Sequence, residues 1–107
     1  MRKLVNLLVR KDGMTHDEFV EYWLTEHAPL AEDLPGVHTY TTSVPADPEQ
    51  ARYDGIAELH FEDGTSVGEV FASEAGKQIQ ADTENFLDDD AGEILIVDET
   101  VQFEPET

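Results

Sequence analysis

The chain has 107 residues, which is enough for one domain with one hydrophobic core. Its 25 acidic and 6 basic residues give a net charge of −19, which argues against nucleic acid and anionic membranes as partners. Cysteine is absent, so disulfides and thiolate metal sites are excluded.

A large excess of acidic residues is typical both of disordered segments and of proteins from halophiles. Disorder is disfavoured here because the apolar residues recur with the periods of strands and helices. We therefore predict a halophilic protein, in which molar salt screens the repulsion between carboxylates. No apolar run is long enough to span a bilayer, and Met1-Arg2-Lys3 leads into a strand pattern rather than a signal segment, so a cytoplasmic location is expected.

The first predicted element is a strand from Lys3 to Arg10. Its residues are largely apolar on both faces, which predicts that both faces are covered. Asn6 interrupts this otherwise apolar run. A turn at residues 11–13 then leads into the next element.

A helix is predicted to begin at Thr15, within the stretch from Gly13 to Gly36. Thr15 is a favourable N-cap, and Glu18 three residues later completes a capping box, in which each side chain bonds a backbone N–H left free at the helix start. His16 lies in the first turn of this helix, where we expect it on the surface.

Three large side chains of this helix recur every fourth residue and share one stripe: Phe19, Trp23 and His27. Because proline has no backbone N–H, Pro29 predicts that the helix ends or kinks just before it. A short helical turn is expected to follow over residues 28–33.

Three further strands are predicted from β-branched, aromatic and alternating residues. They span Val37 to Val44, Asp54 to Glu62 and Glu93 to Phe103. A polar loop separates the first two, and an acidic loop at residues 88–92 precedes the last.

The second helical region lies between the third and fourth strands. Thr65 or Ser66 is the expected cap of a short helix that ends at Ala72. Ser73 is the expected cap of another helix, from residue 74 to about Phe86.

The resulting order, β-α-β-β-α-β, predicts a ferredoxin-like α+β fold, with an antiparallel four-stranded sheet covered on one face by two helices. The apolar residues assigned to the uncovered face are Leu4, Leu8, Tyr40 and Ile56. Such a face needs a partner, and a second copy packed sheet to sheet would give a symmetric homodimer. Residues 1–107 show no linker or internal repeat, so a single domain is predicted.

Two segments also carry a family pattern. The first, K-L-V-N-L-L-V-R-K-D-G-M-T-H-D-E-F-V-E-Y-W-L-T-E-H-A-P-L, is followed shortly by L-P-G-V, and the second spans Ala81 to Asp90. Together they resemble the EthD family of the dimeric α+β barrel superfamily, and the motif from Tyr22 to Leu30 is the most specific part. The resemblance implies a ferredoxin-like fold, a homodimer that closes a barrel from two sheets, and a cavity for small organic molecules.

The resemblance implies little about the reaction. The founding members are linked to ether degradation beside a cytochrome P450 system. Superfamily relatives include polyketide cyclases, lactone isomerases, monooxygenases without metal or flavin, and haem-handling enzymes. These relatives imply an enzyme of oxidoreductase, monooxygenase, cyclase or isomerase type that acts on a hydrophobic compound in the barrel cavity. The alternatives are a non-catalytic binding or accessory module and a dimer whose barrel is simply packed.

His27 is the first candidate catalytic residue, and Trp23 beside it is a candidate substrate contact. The negative end of the helix dipole favours a protonated histidine, whereas burial opposes it. A histidine balanced between these effects can act as a general acid or base near neutral pH. The alternative is that His27 only bonds a backbone carbonyl that Pro29 leaves without a partner.

Polar residues within the strands form a second candidate site. Glu58 and His60 are two residues apart, so both leave the same face, where the carboxylate can orient His60 as a second catalytic histidine. If that face lines the cavity, Asn6, Tyr40 and Glu58 are candidate substrate contacts in an apolar pocket. The alternative places Glu58 and His60 on a solvated patch of an edge strand.

Motifs for metals and cofactors are missing from the sequence. No histidine pair has metal-ligand spacing, and the run from Asp88 to Asp90 lacks the glycine and terminal glutamate of a calcium loop. The sequence has no dinucleotide motif, phosphate loop or nucleophile elbow. We therefore expect no metal, nucleotide or flavin cofactor, and a solvated loop at the aspartate run.

Overall fold

The computed structural model describes residues 1–106, which form an antiparallel sheet with helices packed on one face. The strands are β1 (Arg2–Leu8), β2 (Val37–Ser43), β3 (Gly55–Phe61) and β4 (Glu93–Asp98), in the spatial order β2-β3-β1-β4. The α-helices are α1 (His16–Tyr22), α2 (Val67–Ala72) and α3 (Glu74–Asp82). This architecture confirms the predicted ferredoxin-like α+β fold, with its second helical region divided at Ser73.

The capping box at the start of α1 is present as predicted. Thr15 Oγ1 accepts a hydrogen bond from the Glu18 backbone N–H at 3.1 Å, and Glu18 Oε1 accepts one from the Thr15 N–H at 2.9 Å. After Tyr22 the helix widens into a π-helical turn (Trp23–His27) and then tightens into a 3₁₀ helix (Ala28–Asp33). The regular α-helix thus ends at Tyr22, earlier than predicted, while the helical geometry does change again just before Pro29. The short helical turn predicted over residues 28–33 is confirmed as the 3₁₀ helix.

Strand β4 is shorter than predicted and ends at Asp98 rather than Phe103. Its partner β1 begins at Arg2, which pairs with Asp98. Beyond Asp98, β4 therefore has no further residues of β1 to pair with as a strand. One backbone pair continues past it, with the Glu99 N–H donating to the Met1 carbonyl at 3.0 Å. The apolar side chain of Phe103 is 91% exposed.

The assignment of Leu4, Leu8 and Tyr40 to the uncovered face is wrong. Leu4 and Tyr40 each pair with Leu59, and Leu4, Leu8 and Leu59 are all buried. They therefore face the helices, since directly paired residues share a face. Ile56 does lie on the open face. Alternation shows which residues of a strand share a side, but only the packing of the helices decides which side they cover.

The open face of the sheet is a mixture of apolar and charged side chains. Its apolar members are Val5, Leu7, Ile56, Leu95 and Val97. Its charged members include Lys3, whose Nζ lies 3.0 Å from Glu58 Oε1 and 2.9 Å from Glu99 Oε2. Ile56 is 37% exposed and Leu95 45% exposed, so this face is partly accessible in the single chain.

The core between sheet and helices contains two groups of buried side chains. One consists of Leu4, Ala31, Leu34, Leu59, Phe61 and Val70, and the other of Leu8, Phe19, Trp23, Ala57 and Phe86. The indole of Trp23 lies directly on β3, where a Cβ added to Gly55 would stand 2.4 Å from its Cζ3 atom. Within residues 1–106, no helix has the length and apolar character needed to cross a membrane.

Candidate functional site

A cavity of about 750 Å³ lies between the helix-facing side of the sheet and the helical layer. Its floor includes Leu4, Asn6, Leu8, Tyr40, Ala57 and Leu59. Its roof includes Trp23, His27, Ala31, Phe71, Ile79 and Phe86. The exposed lining residues Asp89, Glu93 and Ile94 form its rim, beside β4. The lining of the cavity is therefore largely apolar.

His27 is a buried wall residue of this cavity, held by a carboxylate from the other helical region. Its Nδ1 lies 2.7 Å from Asp82 Oδ2, and its side chain is only 10% exposed. The ring packs against Phe86 with 4.5 Å between centroids. The alternative hypothesis, that His27 only hydrogen-bonds a backbone carbonyl, is wrong, because its hydrogen-bond partner is the Asp82 side chain.

Asp82 is itself held by two further donors. Tyr22 donates its hydroxyl to Asp82 Oδ1 at 2.6 Å, and the Asn85 amide donates to the same oxygen at 2.9 Å. Burial alone would raise the pKa of Asp82, but the hydrogen bonds from Tyr22, His27 and Asn85 outweigh it and lower that pKa. The carboxylate therefore stays ionised at neutral pH and accepts the Nδ1 proton of His27.

This hydrogen bond fixes the role of each imidazole nitrogen. Because Nδ1 is bonded to Asp82, the proton of a neutral His27 is held there, and Nε2 is left with a free lone pair. Within residues 1–106, Nε2 has no hydrogen-bond partner. A cavity ligand can therefore exchange a proton with Nε2, while the Asp82 carboxylate stabilises the imidazolium that forms.

The π-helical turn sets the position of His27. The Ala28 N–H donates to the Trp23 carbonyl, five residues back, instead of to the fourth residue back as in an α-helix. This turn begins at Trp23, directly after the α-helix that carries Phe19, and ends at His27. It leads into the 3₁₀ segment that starts just before Pro29. Single π turns within helices are frequent at functional sites.

Tyr40 and Trp23 form a second polar contact at the cavity wall. The Trp23 indole Nε1–H donates to the Tyr40 hydroxyl oxygen at 3.2 Å. Burial raises the pKa of Tyr40, and the hydrogen bond from Trp23 only partly opposes it, so the phenol stays neutral. Both residues line the cavity, as does Asn6.

The four strand residues predicted to form one polar site do not share a face of the sheet. Asn6 pairs with Ala57 and Tyr40 with Leu59, so both face the helices and the cavity. Glu58 and His60 alternate with those β3 residues and leave the opposite, open face. Lys3 and Thr41 are the partners of the Glu58 carboxylate there, at 3.0 and 3.5 Å. His27, Trp23, Tyr40 and Asn6 thus share the cavity, whereas Glu58 and His60 do not line it.

A second buried carboxylate joins the start of α1 to the sheet. Asp54 Oδ1 lies 2.8 Å from both Arg10 Nη1 and His16 Nδ1, and Oδ2 accepts the Arg10 backbone N–H at 2.9 Å. Burial alone would raise the pKa of Asp54, but these hydrogen bonds and the Arg10 charge lower it. The expectation that His16 is a surface residue is wrong, because its side chain is bonded to Asp54 and is only 16% exposed.

Sequence reasoning missed Asp82 as the partner of His27 and Tyr22 as a second donor to Asp82. Asp82 lies 55 residues after His27, and no local spacing connects the two. A signal was nevertheless present, since Asp82 falls in the segment from Ala81 to Asp90 that carries the family pattern, and Tyr22 opens the Y-W-x-x-x-H-A-P-L motif. Within residues 1–106, no three side chains of the histidine, aspartate or glutamate type are placed to hold a metal ion.

The fold and the site define a small α+β protein with a histidine–carboxylate pair in an apolar cavity. A sequence profile of the EthD domain matches residues 11–90, so the chain belongs to the EthD domain family. The matched residues include Tyr22, His27 and Asp82, but not Asn6 on β1.

Known relatives agree with this assignment. An uncharacterised 11.0 kDa protein from the thcB-thcC intergenic region of Rhodococcus erythropolis is 30% identical over 87 residues, which cover 78% of this chain and 82% of that protein. An EthD family protein from Bacillus halodurans has the same fold, with a TM-score of 0.78 and 22% identity, over 94% of this chain and 99% of the other. HapK from Hahella chejuensis is similar over both full lengths, with a TM-score of 0.73 and 12% identity.

Proposed function

We propose that this protein is a small-molecule enzyme in which His27 moves protons to and from a hydrophobic compound bound in the cavity. The observation that carries the proposal is the 2.7 Å contact between His27 Nδ1 and Asp82 at the wall of an apolar cavity. The reaction is of the oxidoreductase, monooxygenase, cyclase or isomerase type that the family resemblance implies, and it uses the chain's own acid–base groups.

Each group has a defined part in this proposal. His27 Nε2 accepts a proton from the substrate as general base and returns it as general acid. Asp82 is a positioning residue, which fixes the tautomer of His27 and balances the charge of its imidazolium form. Tyr22 and Asn85 hold Asp82 in place through its Oδ1 atom. The aromatic wall formed by Trp23 and Phe86 limits the access of water to the reacting groups.

A chemically simple probe tests the base without knowledge of the natural substrate. In 5-nitrobenzisoxazole a base removes the ring C–H proton, the N–O bond breaks, and the electron pair ends on the phenolate oxygen of a coloured nitrile. We expect the unsubstituted protein to accelerate this ring opening above the buffer rate. His27→Gln should lower the protein-catalysed rate of ring opening by a factor on the order of 100.

His16→Gln is the matched control, because His16 is also bonded to a carboxylate and only 16% exposed, but it does not line the cavity. It should retain the acceleration. An unchanged rate in His27→Gln would overturn the proposal and leave a non-catalytic binding module as the function. Equal losses in both variants would also count against it, since a specific base at His27 would then not be the cause.

We further propose that two copies pack sheet to sheet into a homodimer and that residues 1–107 form one domain. The support is the open face, where Val5, Leu7, Ile56 and Leu95 are apolar and the Lys3 charge is already paired with Glu58 and Glu99 of the same chain. Sedimentation velocity should show a dimer that Ile56→Glu converts to monomer, because the change places a charge in the middle of the apolar patch. A monomer in the unsubstituted protein would contradict the proposal. The halophilic origin and the cytoplasmic location stay predictions.

A further inference from the structure

The Tyr40 hydroxyl can both accept and donate a hydrogen bond, but within residues 1–106 it only accepts one. Its oxygen accepts the Trp23 indole N–H at 3.2 Å, while its own hydrogen has no acceptor within residues 1–106. We propose that Tyr40 O–H is the donor that orients the ligand, so that the cavity selects neutral apolar compounds with one acceptor oxygen, such as a ketone. Trp23 is then a positioning residue for Tyr40. The inference goes beyond the proposed function and rests on it only in placing the ligand in the same cavity.

The direction of the Tyr40 hydrogen follows from the indole contact. A phenolic hydrogen prefers the plane of its ring and has two orientations there. An orientation toward the Trp23 N–H would set two donors against each other, so the hydrogen turns away from the indole. Donation by Trp23 also polarises the hydroxyl and makes it a stronger donor. Because burial raises the pKa of Tyr40, the hydrogen is retained at neutral and mildly alkaline pH.

The sheet floor leaves room for a ligand beside this hydroxyl. Tyr40 pairs with Leu59, and the next helix-facing position of β3 is the small residue Ala57, which pairs with Asn6 on the other side. The short Ala57 side chain therefore lies between the two neutral polar side chains of the floor. An O–H donor left without an acceptor in such a site loses free energy, which a ligand oxygen recovers.

The charges around the cavity exclude anions. Among the described residues that line it there is no lysine or arginine. Asp88, Asp89 and Glu93 line the region near the rim, and the whole chain carries a net charge of −19. A carboxylate ligand would thus enter against a negative potential and be buried with no lysine or arginine beside it, which is strongly unfavourable. The charge of a protonated His27 would already be balanced by Asp82. A neutral carbonyl compound meets neither penalty.

Three naphthalenes of similar size test this selection by calorimetric titration: 2-acetonaphthone, 2-ethylnaphthalene and 2-naphthoate. We expect the ketone to bind best, because it alone offers Tyr40 a neutral acceptor. Tyr40→Phe should weaken the ketone about three- to ten-fold, as loss of one hydrogen bond predicts, and leave 2-ethylnaphthalene unchanged. Tyr53→Phe is the control, because Tyr53 does not line the cavity.

The single indole of the chain gives a second measurement that needs no variant. Trp23 is the only tryptophan, so one indole N–H signal in a ¹H–¹⁵N spectrum reports its bond to Tyr40. The ketone should shift this signal further than the hydrocarbon at equal occupancy. Equal shifts, an unchanged ketone affinity in Tyr40→Phe, or tighter binding of the naphthoate than of the ketone would each overturn the inference.

These outcomes are separable from those for the proposed function. Ketone selectivity without acceleration of the 5-nitrobenzisoxazole reaction would support the Tyr40 inference and contradict the proposed enzyme. Acceleration without ketone selectivity would support the proposed enzyme and contradict the Tyr40 inference. His27→Gln should lose the acceleration while keeping the ketone preference, because the preference arises at Tyr40.

Discussion

Tyr22 and His27 both donate to the carboxylate of Asp82, at 2.6 and 2.7 Å, on its two separate oxygens. The two donors lie at the start and end of the Y-W-x-x-x-H part of one motif, and the acceptor comes from the end of α3. This arrangement ties the first helical region to the second across the cavity roof. The same contact that supports the proposed catalysis therefore also supports the fold.

Asp82→Asn should lower the base activity of His27 about ten-fold or more and should also destabilise the fold. The amide cannot accept from both His27 and Tyr22 with the strength of an anion, and a buried donor left unpaired costs about 1–3 kcal/mol. Activity is measured with 5-nitrobenzisoxazole and stability by urea unfolding. Asp89→Asn is the control, since its exposed carboxylate makes one weak contact, with Thr83 at 3.5 Å. A variant as active as the unsubstituted protein would show that Asp82 does not position His27.

Gly55→Ala should destabilise the protein by about 1–3 kcal/mol, as expected for overpacking of a core. The added Cβ would stand 2.4 Å from Cζ3 of the rigid Trp23 indole, which is fully buried and cannot move aside freely. Displacement of Trp23 should also shift its indole N–H signal, because that group donates to Tyr40.

Gly68→Ala is the matched control for this substitution. Gly68 lies in α2, and a Cβ there meets only Ser66 Oγ at 4.0 Å, so it should raise stability by up to about 1 kcal/mol through helix propensity. Equal unfolding midpoints for the two variants would contradict the packing of Trp23 on Gly55.

Asp54→Asn should remove part of the stability at neutral pH, by about 3 kcal/mol, because it breaks a buried charge network. The folded pKa of Asp54 is lowered, so its contribution is complete above the unfolded pKa of about 3.9 and is lost as the pH falls through the folded value. The difference in unfolding free energy between the unsubstituted protein and the variant should thus shrink from pH 6 toward pH 3.

The comparison for Asp54 is Asp98→Asn, measured by urea unfolding at constant high salt. Asp98 is also bonded to an arginine, with Arg2 Nε 2.9 Å from Oδ1, but both side chains are exposed. Its replacement should change stability far less, since solvent screens exposed ion pairs. A pH-independent difference for Asp54→Asn would contradict the lowered pKa.

Stability should rise with salt between 0.1 and 2 M KCl. The net charge of −19 on 107 residues makes the folded chain repel itself, and the Debye length falls from about 10 Å at 0.1 M to about 3 Å at 1 M. Urea midpoints measure the effect. Replacing Asp47 and Glu49 by their amides should raise the midpoint at low salt and weaken its salt dependence, because these exposed carboxylates make no ion pair within residues 1–106. A midpoint independent of salt would contradict the halophilic prediction.

Local chemistry made several parts of this protein predictable. The Thr15–Glu18 capping box and the serine caps of α2 and α3 use contacts between residues three apart, so the sequence alone contains both partners. Proline at position 29 predicts the change of helical geometry because it has no N–H to donate. The alternation of apolar residues and the element order likewise predict the sheet, the helices and the family's fold.

Other features depend on contacts between distant segments. The side of the sheet that the helices cover decides that Leu4, Asn6 and Tyr40 face the cavity while Glu58 and His60 do not, and strand periodicity is the same for either choice. The Asp54 cluster and the His27–Asp82 pair join residues 38 to 55 positions apart. The sequence by itself therefore determined the elements, their order and His27 as a candidate. Only the tertiary structure decided the partner of His27, since side-chain contacts across the core depend on how the helices pack on the sheet.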